Sequence, residues 1–159
     1  MNTMEYLSQG RWLDKMILFH MDRLRELRER ADSIGAARMK EVAVMQPPSG
    51  EAPYVRTLQQ IWETEETVER ELQQMIRLEQ QINRVIDSLL SGNYRMVLRY
   101  RYLDRKTWEQ IADLLYIDPS TAKRWHKKAI DLLTLPDDAI NLRETPAADP
   151  DMTDLPPAA

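Results

Sequence analysis

From Leu58 onward, positions 58, 61, 65, 68, 72, 75, 79, 82, 86 and 89 read Leu, Ile, Glu, Val, Leu, Met, Glu, Ile, Ile and Leu, eight apolar members of ten in a three-four alternation. That is a heptad seam, the pattern of a long helix that buries one stripe against another helix. Positions 13, 17, 20, 24, 27, 31 and 34 repeat the spacing with Leu, Ile, His, Leu, Leu, Ala and Ile. Between the two, MQPPSGEAPY at 45–54 holds three prolines and a glycine, through which no helix continues. A connection of that length folds the second helix back on the first. Residues 1–92 are therefore expected to form an antiparallel, coiled-coil-like hairpin of helices some 35 residues long, roughly 50 Å at 1.5 Å per residue.

His20 interrupts the first seam. With the loop at 45–54 it should lie near the level of Met75 and Glu79, where a water-satisfied seam histidine is expected ahead of a register-setting His–Glu pair or a pH switch. Trp12, Leu18, Met21 and Trp62 fall outside the seams, so a second copy of the chain or another protein would have to cover them. Homodimerisation through the hairpin is one such arrangement.

Ser91, Gly92 and Asn93 break the second helix, with Asn93 placed to cap a helix from Tyr94 whose inward face is Tyr94, Val97, Leu98 and Tyr102. Residues 107–128, TWEQIADLLYIDPSTAKRWHKK, then carry two short helices and a tight turn. Thr107 with Gln110 three residues later is a capping box, and Ile111, Ala112, Leu114 and Leu115 make an apolar face. Asp118 before Pro119 marks the next start, the carboxylate placed to accept free N–H groups and the proline tolerated at the first helical position. Only Tyr116 and Ile117 remain between the helices, which forces the sharp crossing of a helix-turn-helix.

The second of these helices divides by face. Ala122, Trp125 and Ala129 fall at helical spacing and should point inward, the small Ala112 and Ala122 letting the two backbones approach. Ser120, Thr121, Lys123, Arg124, Lys127 and Lys128 are left outside. Hydroxyls near the start of a groove-lying helix can meet base edges or phosphate, arginine can make a bidentate contact to guanine, and Lys127 and Lys128 would meet phosphate.

Charge distribution sharpens that reading. The chain carries a net −4, which taken alone argues against nucleic acid. Yet residues 1–92 hold 12 basic and 15 acidic side chains, 93–128 hold 9 and 4, and 129–159 hold 1 and 7, nets of −3, +5 and −6. Positive charge is concentrated on the motif, with Arg95, Arg99, Arg101 and Arg105 expected to add to its field.

The segment YRMVLRYRYLDRKTWEQIADLLYIDPSTAKRWHKKAIDLL resembles region 4 of bacterial sigma-70-family factors in its leading helix, Thr-started helix-turn-helix and trailing Lys-Ala-hydrophobic-Leu run. With a long helical region ahead of it, the chain is similar to small phage-encoded, sigma-like regulators of late transcription. The resemblance implies double-stranded DNA and bacterial RNA polymerase as partners, and base and phosphate contacts at Ser120, Thr121, Lys123, Arg124 and Lys127. Pro119 and Ser120 replace the family's Arg-Glu pair, so its −35 preference does not carry over. Tyr116 stands where the family has a turn glycine, and a positive φ there would cost a tyrosine about 1 kcal/mol.

After Leu135 the chain turns proline-rich and acidic, and 135–159 is expected to form a disordered tail that cannot bury enough surface to offset its ordering entropy. Cysteine is absent, His20 and His126 stand far apart, and no glycine-rich phosphate loop occurs, so neither a metal nor another cofactor is expected, and no enzyme. No apolar run approaches the roughly 20 residues of a membrane span, and no signal pattern opens the chain, so a cytoplasmic place is expected. The expected fold is all-α: the hairpin at 1–92, a three-helix helix-turn-helix domain at 93–134, and the tail. The leading function is a sequence-specific DNA-binding transcriptional regulator. The alternatives are a phage DNA-packaging protein like a terminase small subunit, or a polymerase-binding interaction protein without DNA affinity.

Overall fold

A computed structural model describes residues 1–43 and 51–143, and the regular secondary structure among them is helical, without a strand. The elements are α1 (Thr3–Ala43), α2 (Glu51–Asp87), α3 (Gly92–Leu98), a π-helical turn (Arg99–Leu103), α4 (Trp108–Leu115) and α5 (Pro119–Leu132). Most of the expected connection at 45–54 lies outside the described residues; its last four residues belong to α2. Pro53 is tolerated there because the first turn of a helix has no acceptor for its N–H.

The two long helices pack against each other in antiparallel fashion. The chain divides into two compact units, Lys15–Gln74 and, separately, Met1–Asp14 with the chain from Met75 onward. The contact boundary thus crosses both long helices instead of falling at their ends.

In the Lys15–Gln74 unit, Ile17, Leu24, Leu27 and Ala31 are buried, as the first seam requires. On α2 the seam is shifted at every second member. Ile61 and Val68 are partly buried, but the alternate positions facing inward are Thr57, Thr64 and Glu71, one residue before the expected 58, 65 and 72. Leu58 and Leu72 are exposed. The buried polar member explains the shift: His20 Nδ1 lies 2.9 Å from the Glu71 carboxylate. His20 therefore pairs directly across the seam, and with Glu71 instead of the expected level of Met75 and Glu79. Arg28 Nη2 donates to Glu65 at 2.8 Å in the same register.

In the other unit, Tyr6, Leu7 and Leu13 pack in a core with Leu78, Ile82 and Ile86. Two buried glutamines reach out of that core. Gln81 Oε1 accepts from the Tyr6 hydroxyl at 2.9 Å and the Ile140 N–H at 2.8 Å, while its Nε2 donates to the Asp138 carbonyl. Gln9 Nε2 donates to the Ile140 carbonyl, and its Oε1 accepts from the Leu142 N–H at 2.8 Å. Burial first and the nearby Asp138 second push the Tyr6 phenol up to about 12. Residues 138–142, expected to lack order, are thus held as a backbone strap, with Leu142 buried. Side-chain amides supply the hydrogen bonds that a strap without secondary structure needs. The rest of the expected tail, 144–159, lies outside the described residues.

Arg105 knits the same unit. It has a left-handed backbone (φ 53). Its guanidinium donates to the Gly10 carbonyl at 3.2 Å and to Glu79 at 3.5 Å, and lies 3.9 Å from Asp14.

Candidate functional site

Helix α4 begins as its sequence dictates. The Gln110 N–H donates to Thr107 Oγ1 at 3.2 Å and the Thr107 N–H to Gln110 Oε1 at 2.9 Å, a complete capping box. It ends at Tyr116, which adopts φ 55, ψ 46 and sends its N–H to the Ala112 carbonyl. The Ile117 N–H reaches the same carbonyl at 3.0 Å, so the two bonds close the helix end in a left-handed turn. Tyr116 pays a steric cost for this φ, and its side chain, 95% exposed, recovers nothing. Tyr116→Gly is therefore expected to raise stability by about 0.5–1 kcal/mol, read from the urea midpoint; a lowered midpoint would contradict it.

Helix α5 starts at Pro119 after Asp118, whose side chain makes no cap bond, contrary to expectation; the proline alone sets the start. Likewise Ser91, not Asn93, caps α3: its hydroxyl accepts from the Tyr94 N–H at 3.4 Å. Val97, Ile111 and Ala122 form the centre where α3, α4 and α5 meet, with Tyr100, Trp108, Leu115, Ile117 and Trp125 packed around it. Leu114, expected on the apolar face of α4, is exposed.

The inward face of α5 is Ala122, His126 and Ala129, with Trp125 only partly buried beside them. His126 was not expected in the core, although positions 122, 126 and 129 follow the same helical spacing as 122, 125 and 129. Its Nε2 lies 2.6 Å from the Tyr102 hydroxyl, and its ring sits edge-on to Trp108 at 5.0 Å. Desolvation, helped by the Arg101 charge, lowers its pKa to about 4. Burial likewise raises the Tyr102 phenol. The two shifts together keep both groups neutral, so a phenol and an uncharged imidazole share this hydrogen bond.

Around this core the arginines separate into bound and free. Arg99 pairs with Asp87 and donates to Asn83 at 3.0 Å, and Arg105 is held as described. Arg101 lies over the Trp108 ring at 4.5 Å and donates to the Lys106 carbonyl. All three are held by the fold, and since Arg99 and Arg105 are paired with carboxylates the local positive charge is smaller than the residue count suggests, although Arg101 keeps the charge that acts on His126. The predicted contact residues on α5 differ from them. Ser120, Lys123, Arg124, Lys127 and Lys128 are exposed and Thr121 half-buried, and none of the four cations has an ion pair among the described residues. They form a cationic strip on the side of the helix opposite Ala122, His126 and Ala129.

Among the described residues no group of three or more His, Asp or Glu could hold a metal ion, and no helix is long and apolar enough to cross a membrane. The described residues form an all-helical protein whose α5 carries an exposed basic strip. The chain belongs to the family described as "Protein of unknown function (DUF722)", which matches residues 52–134. That span takes in nearly all of α2 and the whole of α3 to α5, and so every candidate contact residue. No curated protein and no solved structure matches the chain.

Proposed function

We propose that this protein binds double-stranded DNA through α5, with α4 and α5 acting as a helix-turn-helix, and regulates transcription in contact with bacterial RNA polymerase. The supporting observation is the placement of free charge. In a chain of net −4, the arginines of the preceding turn are tied up, while Lys123, Arg124, Lys127 and Lys128 stand exposed on one helix. An exposed lysine or arginine without a carboxylate partner keeps its full field for phosphate. The three residues between α4 and α5, and the packing of Ile111 on α4 with the small Ala122 on α5, are the features such a motif needs to lay its second helix in a groove. Ser120 and Arg124 are one helical turn apart, the spacing at which neighbouring side chains on a helix reach successive base pairs or their backbone.

Titration against duplex DNA at several salt concentrations tests this reading. Phosphate contacts by Lys123, Lys127 and Lys128, with Arg124 on a base or on a fourth phosphate, would give a slope of log affinity against log salt of about −2.7 to −3.6, from about −0.9 per phosphate. Binding that ignores salt, or no binding to any duplex at low salt, would overturn it.

A further inference from the structure

We propose that the Lys15–Gln74 unit pairs with a second copy of itself through one side of its two helices, about a two-fold axis running along them. On α2, Val55, Leu58, Trp62, Glu65, Glu69 and Leu72 follow a three-four alternation of their own, beside the buried seam. Trp62 is 62% exposed and Leu72 44%. On α1, Leu18, Met21, Arg25 and Arg28 stand in the same relation to their seam, each one residue after a seam position, and Leu18 and Met21 are at least half exposed. The 2.8 Å bond from Arg28 to Glu65 puts both stripes on one side of the unit.

Charge selects the occupant and the axis. The charged members of the α1 stripe are both arginines and those of the α2 stripe both glutamates, so each stripe carries the complement of the other; Arg25 bonds Asp22 at 3.1 Å and Arg28 bonds Glu65 within the chain, exposed pairs that cost little to exchange for cross-copy ones. An isologous interface uses the same patch on both subunits, and this patch contains its own counterpart. In the register set by His20–Glu71 and Arg28–Glu65, Arg25 lies at a level between Glu65 and Glu69. A two-fold axis along the helices lays α1 of one copy on α2 of the other at equal level. Arginines then meet glutamates, Leu18 and Met21 meet Leu72, and Trp62 is covered near Arg28, whose guanidinium can stack on its ring. An axis across the helices would instead reverse α2 on α2 and oppose Glu65 with Glu69, a like-charge contact that disfavours it.

The test uses the full chain without DNA. Light scattering after size exclusion is expected to give twice the 18.7 kDa chain mass at micromolar concentration. Arg25→Glu alone and Glu69→Arg alone should each weaken the dimer by tenfold or more, with helical circular dichroism unchanged. An equimolar mixture of the two variants should dimerise again, because both cross-copy pairs are then complementary. Trp62→Glu should dissociate the dimer with no such rescue. A monomeric wild type, charge variants that stay dimeric, or a mixture that stays monomeric would each overturn the proposal.

Discussion

Alanine at both Lys123 and Arg124 is expected to weaken duplex binding about 30- to 1,000-fold and to flatten the salt slope by one to two units, from roughly 1–3 kcal/mol for an arginine–guanine contact and one counterion per lost phosphate. The same variant should unfold at the wild-type urea concentration within about 0.5 kcal/mol, because neither side chain touches the core. This separation of effects gives the prediction its force. A helix that holds its place through Ala122, His126 and Ala129 can lose its outer charges without moving. Alanine at Arg56, exposed on α2, serves as the control for general electrostatics and should leave affinity unchanged. The two variants are compared by fluorescence anisotropy across salt. Equal affinity of the double variant and the wild type would remove α5 from the interface.

The parts of this fold legible in the sequence are those set by neighbours along the chain. The capping box at Thr107 and Gln110 is a local hydrogen-bond exchange and forms as written, and the left-handed Tyr116 stands where the resemblance to sigma region 4 places a turn glycine. The α1 seam is also legible, because each of its members is apolar except His20. The α2 seam is only half legible. Leucine at 58 and 72 outranks threonine at 57 and glutamate at 71 on any hydrophobic reading, yet the latter face inward because His20 supplies a partner across the pair. What could not be read depends on contacts far apart in sequence. The strap at 138–142 is ordered by two glutamines more than fifty positions away, and the π turn at Arg99–Leu103 precedes the left-handed Arg105, whose side chain reaches back to Gly10. At the candidate site, exposure of the α5 cations was readable from helical spacing. That Arg99, Arg101 and Arg105 were committed elsewhere was not, since their partners include Asp87, Trp108 and Asp14.

Acid is expected to loosen the seat of α5 through His126. Its ordinary pKa of 6.5 is lowered to about 4 in the fold, so the unfolded chain binds this proton at a higher pH than the folded one. The stabilisation is therefore complete above pH 6.5, falls away as pH drops from 6.5 towards 4, and is gone below that. Between pH 7 and 4.5 the loss from this single residue is on the order of 2 kcal/mol. The structural cause is burial first and the Arg101 charge second: a protonated imidazole in this core would lose its hydration beside Trp108 and face a like charge. His126→Gln keeps an acceptor for the phenol but has no proton to gain. Carboxylates elsewhere titrate in both proteins, so the difference between the two urea-unfolding curves at pH 7, 5.5 and 4.5 isolates His126. That difference should shift by about 2 kcal/mol in favour of the variant as pH falls. Parallel pH profiles would mean that the imidazole is not the group the fold keeps neutral. If the shift is found, DNA affinity measured over the same range should weaken in the wild type before it does in the variant, because the helix carrying Lys123 and Arg124 is the one His126 holds down.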